Sequence, residues 1–328
     1  MNKELLKRML NTLGDIWERF WFTPISTSAL AVFRILLGIL LIQYALLLMP
    51  DLYVWFGKNG IVSSATINGW QSHIRLNILN LFPNSDQWLT MVYALLIIAA
   101  ISLTLGLMTR LSAILVFICL SSLHARNPLI LNSGDIFMRM LCFWLMFSPA
   151  GASLSIDSWL KATRMKHDNR ASPPVGDIKA SPWAQRLMQI NMTLLYAQTF
   201  AQKIIGNDWQ NGTALYFSSR MTDMHRFPVF YIFDHLWTCR LLSWSVLGIE
   251  FSLCTLVWIK PLKYYVLMIG ILMHLIIDWT MNIPQFEWIM IVSYILFVEP
   301  ADMDQFLYYS RQFLVKLMKR LHFSQTLV

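Results

Sequence analysis

The sequence predicts an all-α integral membrane protein of about eight transmembrane helices, flanked by amphipathic helices at the membrane interface. Three observations predict it. Of 328 residues, 56% are hydrophobic and only 13% are charged, about half the charge of an ordinary soluble domain. Apolar runs of membrane-spanning length recur along the chain, which excludes a water-soluble enzyme built around one core. Most of the 26 Lys and Arg residues lie between those runs. A net charge of +8 therefore does not form the continuous basic face that nucleic acid requires, and no nucleic-acid partner is expected. Anionic headgroups of membrane lipids are the partner this pattern suits.

The elements follow in order. Residues 1–26 form an amphipathic interfacial helix, with Leu6, Met9, Leu10, Leu13, Trp17 and Phe20 at helical spacing and basic residues between them. The N-terminus lacks a cleavable signal pattern, so the first span is expected to remain as an anchor. Residues 27–300 form the transmembrane domain, with spans at Ala29–Met49, Trp88–Met108, Leu111–Leu123, Gly134–Ser148, Ala184–Ile205, Leu241–Ile259, Tyr264–Trp279 and Phe286–Phe297. The third, fourth and last are short. Two long loops, Pro50–Gln87 and Gly206–Arg240, carry Trp55, Trp70, Trp209, Tyr231 and Trp237 among other aromatics and are expected to fold onto the outer membrane face. The stretch Met165–Pro182, with Ser172-Pro173-Pro174, reads as a mobile cytoplasmic loop. Residues 301–328 form a basic amphipathic tail, marked by Phe306, Phe313, Leu317 and Leu321. There is no internal repeat.

Basic residues set the orientation, because positive charge is retained on the cytoplasmic side. With both termini cytoplasmic in the inner (plasma) membrane, 17 basic residues lie inside, 6 outside and 3 within the spans. Cys119, Cys142 and Cys254 fall in apolar segments and Cys239 in a loop; the four give neither a disulfide framework nor zinc-ligand spacing, and no metal is expected.

Ionisable groups at bilayer depth are costly, so each is a functional candidate. Arg34, His124, Arg126, Asp135, Arg139, Lys203, Glu250, His274 and Asp278 qualify, and the orientation places most of them in the outer half. Each also has a structural alternative. Asp135 and Arg139, four apart, either neutralise each other or join a site. Lys203 either snorkels to the headgroups or faces inward, where Gln198, Gln202 and Asn207-Asp208-Trp209 make the helix end more polar than an anchor needs. His124 and His274 are either interfacial or interhelical partners, or parts of a site. Glu250, mid-span, is expected to be protonated or to form a structural intramembrane pair with Arg34. There is no phosphate-binding loop, dinucleotide fingerprint, His-Glu-x-x-His or nucleophile elbow, and no paired broken helices of a transporter. What remains is a polar pocket suited to a lipophilic, weakly acidic ligand.

The segments Ser121-Ser122-Leu123-His124-Ala125-Arg126-Asn127-Pro128, Asn132-Ser133-Gly134-Asp135 and Gln202-Lys203-Ile204-Ile205-Gly206-Asn207-Asp208-Trp209-Gln210-Asn211-Gly212 resemble the HTTM domain, the membrane region shared with vitamin K-dependent gamma-glutamyl carboxylases. Glu250-Phe251-Ser252, His274, Asn282 and Phe286 continue the pattern, which spans roughly Thr27 to Pro300. The resemblance implies that Lys203 is the base that deprotonates a hydroquinone, that His274 is a second catalytic residue, and that the site faces outward. Gln202 stands where the carboxylases carry a further lysine.

Taken together, the expected activity is quinol-linked oxygenation or proton-abstraction chemistry of a carboxylase- or epoxidase-like kind. Lys203 and His274 are the catalytic pair, with His124, Arg126, Asn132, Asp135 and Trp209 as the supporting polar pocket, and vitamin K hydroquinone or menaquinol is the implied cofactor. The rival expectation is a non-enzymatic maturation or immunity factor for a secreted peptide or membrane protein partner.

Overall fold

In the computed structural model, residues 3–70, 76–168 and 178–325 are described. Each of the eight apolar segments is helical. The element order begins with α1 (Lys3–Trp21), α2 (Ser28–Leu48), α3 (Leu52–Phe56), α4 (Ser64–Trp70), α5 (Asp86–Leu105), α6 (Thr109–Arg126), α7 (Ser133–Leu145) and α8 (Ile156–His167). It continues with α9 (Trp183–Ile204), α10 (Asn207–Gln210), α11 (Ala214–Ser218), α12 (Leu236–Cys254), α13 (Lys260–Thr280), α14 (Phe286–Ser293) and α15 (Pro300–Gln325). Strands β1 (Ile25–Ser26) and β2 (Lys179–Ala180) pair antiparallel, with Ile25 opposite Ala180, and tie the approach to α2 to the approach to α9.

Among the described residues, four helical segments are long and apolar enough to cross a membrane: Ser28–Phe56, Asp86–Leu105, Thr109–Arg126 and Lys260–Thr280. The short third run becomes one of them because the helix extends past its apolar core at both ends, from Thr109 to Arg126. The fourth run does not. Its helix has 13 residues, a rise of roughly 20 Å against a hydrocarbon layer of roughly 30 Å. The last run is divided, with α14 passing into a 3-10 turn at Tyr294–Phe297. Cys239, expected in a loop, lies buried within α12.

The helices pack as two groups. In the first, α2 packs on α5, α5 on α6 and α6 on α7; in the second, α9 packs on α12, α12 on α13 and α13 on α14. Contacts of α7 with α9 and α14, and of α14 with α2, join the groups around a core that includes Leu37, Leu96, Leu120, Leu141, Met192 and Met290. Local sequence sets the helix ends. Asn132 and Asp135 form a reciprocal capping box on α7, as Ser155 and Ser158 do on α8. Gly106 ends α5 at φ +68°, where an added Cβ would lie 2.7 Å from the Arg34 guanidinium. Only glycine suits both demands.

The long loops carry short helices and are pinned to the bundle, the first by Leu52 and Phe56 and the second by Phe233, all buried. The centre of the Met165–Pro182 stretch, including Arg170 and Ser172-Pro173-Pro174, lies outside the described residues, as does Arg75. Helices α1 and α15 occupy the two terminal segments and display Leu13, Ile16, Trp17, Phe306 and Phe313 to the exterior.

Candidate functional site

Tyr196 and Lys203 are seven residues apart on α9, about two helical turns, and so share one face. Against this helix packs α12, which carries Glu250. Lys203 Nζ forms an ion pair with Glu250 Oε1, the two side chains being 27% and 6% exposed. The indole of Trp209, supplied by the short helix after Gly206, lies 4.7 Å from Lys203 Nζ and covers it by a cation–π contact. Glu250 Oε2 is buried and makes no hydrogen bond.

Deeper in the same group, the Tyr196 hydroxyl is 2.6 Å from His274 Nε2 and 2.6 Å from the Tyr294 hydroxyl. His274 Nδ1 bonds Glu287 Oε2 on α14. These atoms impose a direction. If Nδ1–H donates to an ionised Glu287, Nε2 must accept, so the Tyr196 hydroxyl donates to His274 and the Tyr294 hydroxyl donates to Tyr196. Gly270 on α13 makes the room, because a Cβ there would meet the Tyr294 hydroxyl at 2.7 Å. Glu250 lies within electrostatic reach of both tyrosines, and Lys203 and Asp278 within that of Glu287. Asp278 is itself held by Arg226 at 2.5 Å.

The chain matches the HTTM domain family over residues 22–301, a stretch that contains this network whole. It belongs to the HTTM domain family. No solved structure matches it.

In this HTTM protein Lys203 and His274 do not touch: Lys203 is held by Glu250 and Trp209, and His274 by Tyr196 and Glu287, while His124, Arg126, Asn132 and Asp135 bond elsewhere. His124 is buried, its Nε2 3.3 Å from the Tyr44 hydroxyl and its Nδ1 unpaired. Arg126 donates to the carbonyl oxygens of Gly57 at 2.7 Å and Val62 at 3.1 Å. Asn132 Oδ1 accepts from Gly134 N at 2.7 Å, and Asp135 Oδ2 accepts from Asn132 N at 2.8 Å. Those bonds hold loops and a helix start. Trp209 alone of the supporting set touches Lys203.

The expected Arg34–Glu250 pair is corrected. Arg34, fully buried, donates to the carbonyl oxygens of Ala150 at 2.8 Å and Leu154 at 2.6 Å, at the turn after α7, while Glu250 is taken by Lys203. Orphan carbonyls beyond a helix C-terminus are strong acceptors for a guanidinium, and Lys203 is the cation nearer Glu250. Tyr196, Tyr294 and Glu287 were missed by sequence reasoning. Glu287 met the same criterion that singled out Glu250, a carboxylate inside an apolar run; the tyrosines carried no signal beyond the seven-residue spacing of Tyr196 and Lys203.

Two cavities lie on the same helices, neither of them lined by Lys203, Glu250, Tyr196, His274, Glu287 or Tyr294. One, of about 410 Å³ between α7, α9 and α14, is lined by Gln198, Thr199, Gln202, Phe137, Leu195 and Phe286 among others. The other, of about 230 Å³ between α12 and α13, is almost wholly apolar and includes Ile249 and Met273. The first combines amides with apolar walls, and its Gln202 adjoins Lys203 while its Phe286 ring lies 6.1 Å from the His274 ring. Among the described residues no three His, Cys, Asp or Glu side chains converge as a metal site.

Proposed function

We propose that this HTTM protein binds a membrane hydroquinone, of the menaquinol or vitamin K type, and uses Lys203 as the base that removes its hydroxyl proton. The observation that carries the reading is the sheltered Lys203–Glu250 pair beside Trp209, with an unpaired carboxylate oxygen, on a helix whose Gln198 and Gln202 line a cavity of mixed polarity. In an ammonium–carboxylate pair the amine already holds its proton. For Lys203 to act as the base, that proton must first pass to Glu250, whose Oε2 has no other partner. Glu250 thus stores the proton that frees the amine. Gln198 and Gln202 would orient the diol oxygens, Phe286 and the apolar wall would hold its ring, and Trp209 would exclude water. A hydroquinone supplies both the transferable proton and the reducing equivalents for an oxygen-linked step, with molecular oxygen as oxidant. His274, held by Glu287 and Tyr196, is the second proton-handling group.

The same reading takes all eight helices as crossing or entering the inner membrane, with both termini cytoplasmic. The distribution of basic residues supports it.

Oxygen uptake and quinol oxidation by the purified protein with menaquinol or vitamin K hydroquinone test the proposal. Lys203→Ala is expected to abolish turnover while expression and helicity persist; undiminished turnover rejects the assignment. If the wild-type protein binds neither quinol, the role falls to a non-enzymatic maturation or immunity factor acting on a secreted peptide or membrane partner.

A further inference from the structure

A separate cavity of about 330 Å³ lies where the 50–87 loop meets α5 and α6, lined by Lys58, Arg126, Asn80, Asn84, Phe82 and Trp88 among others. Its charge is unbalanced. Arg126 is buried and spends its Nη atoms on the carbonyls of Gly57 and Val62, and among the described residues neither it nor Lys58 has a carboxylate within ion-pair distance. Asp86 is the acid in electrostatic reach of Arg126, and its Oδ1 accepts the Lys58 backbone N–H at 2.7 Å. Two cations against one carboxylate leave an excess positive charge in a partly enclosed space. The first turn of α5 opens onto the same space, with Ser85 making no side-chain cap, and adds its own partial positive charge.

The apolar side of the cavity identifies what the anion is attached to. Phe82 and Trp88 stack at 4.1 Å with an interplanar angle of 13°. From Trp88 an exposed apolar stripe descends α5 through Met91, Ile98 and Leu105, three and then seven residues apart and hence on one face. Helix α5 is one of the four able to cross a membrane, so the cavity sits at the rim of the hydrocarbon layer and the stripe faces acyl chains. We propose that it holds the phosphate of an anionic phospholipid, with Lys58 and Arg126 as charge partners and an acyl chain along the Met91–Leu105 stripe. A choline headgroup would bring a third cation against Lys58 and is disfavoured. A soluble carboxylate or phosphate would leave the stripe uncovered.

Native mass spectrometry of the full chain in detergent, titrated with phosphatidylglycerol or phosphatidylcholine of equal chain length, tests this. Wild-type protein is expected to hold one phosphatidylglycerol in preference to phosphatidylcholine. Lys58 is exposed, so Lys58→Gln keeps the fold, and it is expected to weaken that tight site about fivefold, with phosphatidylcholine binding unchanged. Lys316→Gln on α15 controls for the general basic charge and is expected to behave as wild type. Equal phosphatidylglycerol affinity in Lys58→Gln and wild type overturns the site. So does displacement of the lipid by millimolar inorganic phosphate or by a short peptide with a free carboxylate, which would assign the cavity to soluble anions instead.

Discussion

The Tyr196 hydroxyl has one proton and two partners at 2.6 Å, so it must donate to one and accept from the other. Its removal therefore strands two buried groups, His274 Nε2 and the Tyr294 hydroxyl, whereas removal of the Tyr294 hydroxyl strands none, because Tyr196 still donates to His274. Leaving a buried polar atom unsatisfied costs about 1–3 kcal/mol. Tyr196→Phe is accordingly expected to destabilise the protein more than Tyr294→Phe does, read as thermal or denaturant midpoints in the same detergent; an equal or reversed order would show that the directed chain is wrong. Glu287 anchors the other end of that chain. The residues that make the site were legible where they broke a composition rule: Lys203, Glu250 and His274 stood out as ionisable groups in apolar runs. Tyrosines belong in such runs, and a hydroxyl network among them becomes visible only when α9, α13 and α14 are brought together.

Between elements, the tie at the other end of the bundle is made by Asp157 at the start of α8. Its carboxylate accepts the backbone N–H groups of Met108 and Thr109 and the Thr109 hydroxyl, at 2.7–2.8 Å, and so caps α6 from a different helix. Burial pushes Asp157 upward, but those three bonds and the charge of Arg34 outweigh it and hold the carboxylate below its ordinary value. A carboxylate depressed by folding adds stability above its unfolded pKa, about 3.9, and that stability is lost as pH falls through the folded value. Asp157→Asn, which keeps one acceptor, is expected to cost about 1 kcal/mol at neutral pH. The gap from wild type should close as the pH drops below the carboxylate range in acid-unfolding curves. A gap independent of pH would assign the effect to packing. Helix existence was readable from apolar periodicity, but helix ends were not. The third run grew into Thr109–Arg126 because Asp157 satisfies its first turn from 48 residues away, and sequence windows hold no trace of such a partner. Arg34 was paired wrongly for a related reason: the carbonyls it binds carry no side-chain signature.

For the molecule as a whole, orientation decides whether the Lys203 network and the Lys58 cavity face the same compartment. Lys203 closes α9, Arg126 closes α6, and α5 begins beside Lys58, so these ends come to one side of the bundle only if each helix crosses fully. Helix α7, with 13 residues, and the broken α14 are the weak points, since each is shorter than the hydrocarbon layer requires. Both are wedged between longer helices, where local thinning or burial in protein offsets the mismatch. Cysteine labelling measures the outcome. Cys119, Cys142 and Cys239 are buried and are not expected to react, so a Cys254→Ser background suffices. In that background Asp223→Cys, in the second long loop, is expected to react with an impermeant maleimide in intact cells, and Lys161→Cys, on α8, only after permeabilisation. Labelling of both positions from outside would mean that α9, the span between residues 161 and 223, does not cross fully, and would place the Lys203 network and the basic α8 face in one compartment, contrary to the charge rule on which the orientation rests.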